Sequence, residues 1–470
     1  MAQNDLTLDT ITAFAKRRGF IYPSSEIYGG LAGIYDYGHY GILLKNNIAN
    51  AWWKSMVRDR DDVVGLDSAI FMHPLTWKAS GHVDSFNEAL IDCKSCKQRM
   101  RADHLLEKYS INADFMPLDQ INAELNKLRD QNQLKCQFCG NKELTEARQI
   151  NQLVRTNLGV PTKQLQEMSE EDIVYARGET CQGIYLNYKN VIDTMRVKLP
   201  FGIAQIGKAF RNEVIARQFI FRTREFEQME MQYFLAPEMM QEKYEEWKQT
   251  RWNWYLEVLG LPEEKLRWKK HDKLAHYAKE AYDVQFNYRS LGEFAEIEGI
   301  HQRGDWDLSQ HAKYSGQNLE YFDQKQNKRF IPHIMETSGG LNRMVFAVLD
   351  AAYTNEDLGE GKTRVVLKIK PALAPVKVAI FPLQKDEKLQ GKAREIYLDL
   401  RSEFQSEFDD SGNIGKMYRR QDEIGTPACV TLDYQSLEDN MVTVRDRDSM
   451  KQERIAIGDL KQYIWNKINA

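Results

Sequence analysis

The sequence predicts an α+β protein built from several domains. Two long strand patterns joined by a loop run from Ile203 to Phe234. Residues 92–150 carry a cysteine pair at each end with a polar helical stretch between them, and residues after 375 alternate between strand and helix patterns. These periodicities predict a sheet-containing domain, an inserted module and a separate small α/β domain.

Length and composition restrict the class of protein. The chain has 470 residues, enough for two to four domains at about 150 residues each. It carries 64 basic and 68 acidic residues, a net charge of −4, so any nucleic acid would be bound by local patches. No segment approaches the run of about 20 apolar residues that spans a bilayer, and the N-terminus lacks the apolar centre of a signal peptide. We therefore expect a soluble cytoplasmic protein with no membrane partner.

The elements can be followed in chain order. Apolar residues from Leu44 to Met56 recur at helical spacing, and the run VVGLDSAIFMHP predicts a strand that ends at Pro74. Trp247–Asn287, rich in Lys, Glu and Trp, predicts a mostly helical connection. The run FIPHIM then leads through TSGG into an apolar helix. These patterns place domain boundaries at 1–91, 92–150, 151–370 with a helical insertion, and 371–470.

The segment FRNEVIARQFIFRTREFEQMEMQYF, from Phe210 to Phe234, carries the clearest chemistry. Side chains two residues apart share one face of a strand, so Arg211 and Glu213 are predicted to point together. The same spacing puts on one face Arg222, Arg224, Phe226, Gln228 and Glu230. A ring beside guanidinium and carboxylate groups offers a purine nucleotide a stacking surface, cations for phosphates and an acceptor for its amine. A solvated face of paired salt bridges is the alternative interpretation.

A second segment, ETSGGLNR, lies at a strand-to-helix junction from Glu336 to Arg343. Gly339 and Gly340 allow a tight turn and close approach of a ligand, and the following helix offers unpaired N–H groups. A simple helix cap would explain the glycines alone, but two segments with nucleotide-type chemistry strengthen each other.

At these residues the sequence resembles class II aminoacyl-tRNA synthetases, and within them the dimeric glycyl-tRNA synthetase family. FRNE with REFEQMEMQYF resembles motif 2, ETSGGLNR resembles motif 3, and the first helix and strand resemble motif 1. Further similar stretches are RGFIYPSSEIYGGLAGIYDYGHYG, PLTWKASGHVDSF, ETCQGIYLNYKNV, EIEGIHQRGDWDLSQH and GTPACVTLDYQSLEDNMVTVRDRDSM. The resemblance implies an antiparallel-sheet catalytic domain, a C-terminal anticodon-binding domain, and ATP-dependent attachment of glycine to tRNA(Gly).

The resemblance also implies roles for individual residues. Arg211 would hold the α-phosphate, Glu213 would accept from the adenine amine, and Arg343 would cover adenine or the γ-phosphate; these three are the expected catalytic residues. The expected ATP site comprises Arg211, Asn212, Glu213, Phe221, Arg222, Thr223, Arg224, Glu225, Phe226, Glu296, Ile297, Gly340 and Arg343. The expected glycine site comprises Arg101, Glu179, Gln228, Glu230, Glu336 and Ser338. Glu336 is also a candidate ligand for the Mg²⁺ that accompanies ATP.

The four cysteines of the insertion form the pairs Cys93–Cys96 and Cys136–Cys139. Two such pairs can complete a tetrahedral zinc site that stabilises a small module, and a redox pair is the less favoured alternative. In the C-terminal domain the arginines available to contact RNA are Arg419, Arg420, Arg445 and Arg447.

Some positions depart from the family pattern. The family usually has proline where this chain has Gly178 and Thr337, and the loop IARQFIF lacks the common Pro-Arg-x-Gly-Leu form. The resemblance further implies a homodimer with Leu43–Met56 and the strand before Pro74 at the interface. Two other readings stay open: a class II ligase for serine, threonine or proline, and a non-enzymatic relative that keeps the fold.

Overall fold

The computed structural model describes residues 6–469 except 114–115, 159–172, 215, 217, 272–273 and 275–278. Within those residues, no helix combines the length and the apolar character needed to cross a bilayer. The elements before the cysteine-bearing insertion are α1 (Leu8–Arg17), β1 (Ile21–Pro23), β2 (Tyr35–Tyr37), α2 (His39–Trp53), β3 (Val63–Gly65), β4 (Phe71–Met72), α3 (Pro74–Ala79) and α4 (His82–Ser85). A π-helical turn, Lys54–Arg58, extends α2.

The insertion folds around its own small core. Its elements are β5 (Asn87–Asp92), β6 (Arg99–Arg101), α5 (Ala102–Glu107), α6 (Leu118–Asp130) and β7 (Arg148–Asn151). Strand β5 pairs with both β6 and β7. Asn87 lies opposite Asn151, so the first and last residues of the insertion are neighbours in the structure. A separate apolar cluster, including Ile91, Leu125 and Leu134, fills the space between sheet and helices.

A seven-stranded sheet forms the centre of the fold. The elements that follow the insertion are β8 (Val154–Thr156), β9 (Val174–Ala176), α7 (Cys181–Met195), β10 (Phe201–Phe210), β11 (Glu225–Leu235), α8 (Met240–Glu257), β12 (Leu266–Lys270), β13 (Glu280–Tyr288), β14 (Glu293–Gly304), α9 (Trp306–Ser315), β15 (Tyr321–Asp323), β16 (Lys328–Phe330), β17 (His333–Gly340), α10 (Leu341–Ala352), β18 (Tyr353–Asp357) and β19 (Thr363–Leu367). The strand order is β12-β13-β14-β17-β11-β10-β3, antiparallel throughout except that β3 runs parallel to β10. This is the antiparallel sheet that the resemblance implies.

Helix α10 covers one face of this sheet. Its apolar residues recur at helical spacing, so they form one face that packs against the strands. Leu341, Val345 and Leu349 are fully buried, and the helix contacts both α2 and β11. Trp52 of α2 belongs to the same apolar core. Packing this helix against the sheet fixes the junction that carries Arg343.

The C-terminal part forms a separate α/β sheet, as its alternating patterns predict. Its elements are β20 (Val378–Pro382), α11 (Glu387–Leu400), β21 (Ser406–Phe408), α12 (Ile414–Asp422), β22 (Ala428–Leu432), α13 (Tyr434–Asp439), β23 (Met441–Asp446), β24 (Gln452–Ala456) and α14 (Leu460–Asn469). The strand order is β21-β20-β22-β23-β24, parallel for the first three strands and antiparallel for the last two. Asp386 and Asp433 accept hydrogen bonds from the first-turn amides of α11 and α13, which defines where those helices begin.

Two predicted elements differ from the structure. The run before Pro74 forms two short strands in different sheets, β3 and β4, and Pro74 is the first residue of α3, where its missing N–H costs nothing. The connection Trp247–Asn287 is helical only to Glu257, and β12 and β13 then add two strands to the edge of the central sheet. The stretch expected to be helical therefore divides between α8 and two strands of the sheet.

Two arginines expected to contact RNA are instead buried within the C-terminal part. Arg445 donates to both carboxylate oxygens of Asp422, at 2.9 and 3.1 Å. Arg447 donates to the carbonyls of Ile369 and Gly425. These side chains hold the domain together, whereas Arg419 remains exposed.

Candidate active site

A cavity of about 200 Å³ opens on one face of the central sheet, between β11, β14, β17 and the segment before β11. Phe226 of β11 and Arg343 of α10 both line it, so the two segments singled out in the sequence meet in one site. The predicted residues along its wall are Glu179, Arg211, Glu213, Phe221, Arg222, Thr223, Phe226, Gln228, Glu230, Glu296, Glu336, Ser338, Gly340 and Arg343.

The register of three neighbouring strands builds the floor of this cavity. Glu230 of β11 lies opposite Ser338 of β17, and Ser338 lies opposite Gly299 of β14. In the next row, Glu336 lies between Gln232 and His301. Because residues paired directly across strands share a face, these rows place several polar groups side by side.

Glu336 is held by three side-chain partners. It accepts from His301 Nδ1 at 2.7 Å, from Arg303 at 2.9 Å and from Gln232 at 2.8 Å. Burial alone would raise its pKa, but Arg303 and the hydrogen bond from His301 lower the pKa of Glu336 to about 2. Glu336 is thus a fixed negative charge, and its bonds to Arg303 and His301 disfavour it as a Mg²⁺ ligand.

Two further carboxylates share this end of the cavity. Burial, together with the charges of Glu336 and Glu179, raises the pKa of Glu230 well above its ordinary value. Burial opposes ionisation of Glu179 too, but the neighbouring His82, 3.3 Å away, lowers the pKa of Glu179 well below its usual range. The Thr180 hydroxyl donates a hydrogen bond to Glu230. The carboxylate end of the cavity therefore suits a small cation such as an ammonium group.

Gln228 completes this end. Its side-chain oxygen accepts from the Thr180 amide at 3.2 Å, and its nitrogen donates to the Ser338 hydroxyl at 3.2 Å. These contacts position Ser338 beside the carboxylates.

The other end of the cavity combines aromatic rings with guanidinium groups. The Arg211 guanidinium lies 5.3 Å from the ring centres of both Phe86 and Phe226, and its Nε donates to the Gly178 carbonyl at 3.0 Å. The Arg343 guanidinium lies 4.6 Å from the Phe221 ring centre. Both arginines are thus held in place by contacts that leave them facing the cavity.

Carboxylates accompany these arginines. Glu296 pairs with Arg343 at 3.1 Å, and Glu213 lies 3.7 Å from Arg222. Burial opposes the ionisation of Glu296, but Arg343 keeps its pKa below the ordinary value. This end of the cavity can therefore bind an anionic ligand through its arginines, and it can accept hydrogen bonds from the exocyclic amine of a nucleotide base through its carboxylates.

Five predicted residues do not line the cavity. Ile297 is fully buried in the apolar core and lies at a bulge in the β13–β14 pairing. Glu225 pairs with Lys208, and Arg224 donates to the carbonyls of Glu213 and Ala32. The remaining two are Asn212, which is exposed, and Arg101, which pairs with Glu88 and Asp103 in the insertion.

Several cavity residues were not predicted from sequence. His301 and Arg303 follow Gly299 at intervals of two in EIEGIHQRG, a signal that they share a strand face with it. The other residues of this kind are Ile220, Glu227, Gly299 and Asn342. Glu227 pairs with Lys45 of α2, so a residue remote in sequence supports the wall.

The four cysteines of the insertion also converge. The Sγ atoms of Cys93 and Cys139 lie 3.7 Å apart, as do those of Cys96 and Cys136, and all four lie within 4.8 Å of one another. A tetrahedral zinc ion with bonds of about 2.3 Å requires sulfur atoms about 3.8 Å apart. Amide N–H groups, that of Cys96 first, lower the pKa of the Cys93 thiol to about 7. The set therefore fits a zinc ion.

Comparison with known proteins agrees with this arrangement. The model of the tRNA synthetase class II core domain (G, H, P, S and T) matches residues 165–352, and the anticodon binding domain model matches residues 377–467. A glycine–tRNA ligase of Borrelia garinii subsp. bavariensis is 48% identical over 467 residues, covering 98% of this chain and 97% of the relative. Those of Thermobifida fusca and Treponema denticola are each 47% identical, covering 100% of this chain and 99% and 98% of the relatives. The chain therefore belongs to the glycine–tRNA ligase family of class II aminoacyl-tRNA synthetases.

Proposed function

We propose that this chain activates glycine with ATP and transfers the glycyl group to the 3′ end of tRNA(Gly). The observation that supports this most directly is one cavity with three carboxylates at one end and arginines with aromatic rings at the other. Glycine offers an ammonium group to the first end, and ATP offers phosphates and a purine ring to the second.

In the first step, a carboxylate oxygen of glycine attacks the α-phosphorus of ATP. The bond to the bridging oxygen breaks, and pyrophosphate leaves with its electrons. In the second step, the terminal ribose hydroxyl of tRNA attacks the carbonyl carbon of glycyl-adenylate and AMP leaves. No side chain needs to form a covalent intermediate, so catalysis rests on position and charge.

At the nucleotide end, Arg211 would stabilise charge that develops on the α-phosphate. Phe226 and the Arg343 guanidinium would cover the adenine ring, and Glu213 would accept from its amine. Mg²⁺ would bind mainly through phosphate oxygens and would offset their charge. The bonding of Glu336 does not fit a Mg²⁺ ligand, so we assign that residue to the amino-acid end alone.

At the amino-acid end, Glu179, Glu230 and Glu336 would hold the ammonium group of glycine. A substrate without a side chain can be selected by excluding bulk, and each added carbon forced into a packed site costs about 1–3 kcal/mol. Arg101 and Asn212 have no contact that supports a direct role. Of the other three predicted residues outside the cavity, Glu225 and Ile297 would shape the strands that carry the site. Arg224 would hold the segment before β11 through its bonds to the Glu213 and Ala32 carbonyls.

Three further proposals complete the account. Cys93, Cys96, Cys136 and Cys139 would hold a structural zinc ion, whose chemistry is to crosslink the insertion through four thiolates. Residues 371–470 would bind the anticodon of tRNA. The enzyme would act in the cytoplasm as a homodimer that buries part of α2.

The amino-acid dependence of ATP–pyrophosphate exchange tests the main proposal. We expect exchange with glycine at least about 100-fold above that with alanine, serine, threonine or proline, because a side chain would meet the packed carboxylate end. Exchange supported by one of the other amino acids would identify a different ligase. Absence of exchange with every amino acid would indicate a relative without this activity.

The pH dependence of glycine binding tests the role of Glu230. Its raised pKa makes Glu230 keep its proton to a higher pH than an ordinary glutamate, and an ammonium group beside it would favour the charged form. Glycine binding should therefore release a proton, and affinity should rise as pH rises through the pKa of Glu230. Calorimetric titration in buffers of different ionisation enthalpy measures the number of protons released. A value of zero, or proton uptake, would contradict this assignment.

Zinc analysis tests the cysteine site. We expect about one zinc ion per chain, and Cys96→Ser should lower this content and expose residues 87–151 to limited proteolysis. Cys429→Ser is the matched control, since this buried thiol lies in the C-terminal part. Wild-type protein without zinc, or equal proteolysis of both variants, would count against the site.

A further inference from the structure

A second group of metal-ligating side chains lies where the edge of the central sheet meets the cavity. His271 follows β12, and its amide donates to the Ala281 carbonyl at 3.0 Å, which extends the β12–β13 pairing by one residue. Ala281 lies opposite His301, and Asp283 lies opposite Gly299. The row His271–Ala281–His301 therefore runs beside the row Asp283–Gly299 on one face of the sheet.

The two small residues in these rows leave room between the larger ones. Ala281 separates the two histidines, and Gly299 separates Asp283 from the cavity. A Cβ atom added at Gly299 would lie 2.8 Å from Nε2 of His301 and 3.7 Å from Oδ1 of Asp283. The imidazole and the carboxylate thus meet above the glycine, in space that any larger residue would fill.

The side-chain atoms come within the range of one ion. One ligand atom each from His271, Asp283 and His301 lies within 4.8 Å of the others, and His271 Nε2 lies 2.7 Å from Asp283 Oδ1. All three side chains keep some exposure to solvent, from 13% for Asp283 to 33% for His271, so an ion can reach them.

The orientation of His301 adds an independent observation. Its Nδ1 is hydrogen-bonded to Glu336 at 2.7 Å, which leaves Nε2, above Gly299, as the nitrogen for a metal ion. Histidines that bind metals usually donate their second ring N–H to a carboxylate in this way, which fixes the tautomer and the ring orientation.

We propose that His271, Asp283 and His301 bind a divalent transition-metal ion, with zinc the preferred ion. Two imidazoles and one carboxylate are ligands that zinc accepts at about 2.0–2.2 Å, whereas Mg²⁺ prefers oxygen ligands alone. Three protein ligands leave a fourth position for water. This site is separate from the four cysteines, which belong to the insertion.

The position of the site gives it a consequence for the amino-acid end of the cavity. His301 connects the ion directly to Glu336, so the added positive charge would weaken the attraction of the carboxylates for an ammonium group. By thermodynamic linkage, glycine would weaken metal binding by the same factor. This consequence rests on the proposed function, whereas metal binding itself does not.

Cobalt titration of protein whose cysteines already hold zinc tests the site. We expect one additional Co²⁺ per chain, with weak visible d–d bands and no thiolate-to-cobalt charge transfer. His271→Ala and Asp283→Asn should each weaken this binding at least about tenfold. His104→Ala is the matched control, since this exposed histidine lies in the insertion, and thermal unfolding reports whether each variant is folded.

Two results would overturn the proposal: no additional equivalent, or uptake that both variants leave unchanged. Strong thiolate charge transfer without dependence on His271 would assign the uptake to cysteines and would also overturn it. Added zinc should raise the KM for glycine in wild-type enzyme and not in His271→Ala. The two proposals can also fail independently. If both variants lost metal uptake but the wild type showed no glycine-dependent exchange, the metal site would be supported and the proposed function would be wrong.

Discussion

Replacing Arg211 by alanine is expected to lower glycine-dependent pyrophosphate exchange by about 10²–10³-fold. Its guanidinium lies in the cavity wall against Phe86 and Phe226, and its Nε is fixed by the Gly178 carbonyl. A cationic group already positioned where charge develops on the α-phosphate stabilises mainly the transition state. Removing one such donor lowers kcat by about 10²–10³-fold. The fall should appear in kcat, with a smaller change in the KM for ATP.

Arg148→Ala is the matched control for this variant. Arg148 is an exposed arginine of the insertion that pairs with Asp92, so its loss removes the same charge without touching the cavity. We expect exchange close to that of the wild type for Arg148→Ala and equal thermal unfolding of both variants. If Arg211→Ala kept near-normal exchange, the arginine would have no part in the chemical step.

The second large effect is expected at the other end of the cavity. Glu336→Gln should raise the KM for glycine by about 100-fold, because it removes a buried charge from the ammonium site while keeping the side-chain shape. Truncating one member of a buried, hydrogen-bonded charge pair costs about 2–5 kcal/mol, which corresponds to this range. Arg303 retains its bonds to Asp307 at 2.8 and 2.9 Å, so the fold should persist.

Steady-state kinetics with glycine and ATP varied in turn measure this effect. The KM for ATP should change little, and Glu242→Gln, on the exposed face of α8, serves as the control. An equal rise in both KM values would indicate a general distortion of the cavity instead of a lost contact with glycine.

Stability against acid provides a second measurement on Glu336→Gln. The pKa of Glu336 is about 2 in the folded protein, against an ordinary value of 4.5. A lowered carboxyl pKa stabilises the fold above the unfolded value, and this stabilisation is lost as pH falls from about 4.5 towards 2. The variant should lack this contribution, so its free energy of unfolding should depend less on pH in that window.

The parts predicted correctly from sequence depend on local patterns. Strand β11 and helix α10 have strong periodicity over ten or more residues, and Phe226, Gln228 and Glu230 of β11 line the cavity together because they lie two residues apart. The class of fold and the family followed from the same segments. These features require no knowledge of which strands become neighbours.

The parts that were missed depend on pairing between distant segments. His301 and Arg303 belong to the site only because β14 lies beside β17, and no local pattern reports that order. The connection up to Asn287 was expected to be helical from its Lys- and Glu-rich composition, whereas β13 alternates between buried and partly buried residues as a paired strand does. Arg445 was expected on the surface because its partner Asp422 lies 23 residues away.

The pairing of Asn87 with Asn151 brings the two ends of the insertion next to each other. A segment whose ends are adjacent and whose apolar core is its own can be shortened, enlarged or exchanged while the strands on either side keep their positions. Evolution, or an engineer, can therefore change this accessory module without rebuilding the chamber in which the adenylate would form.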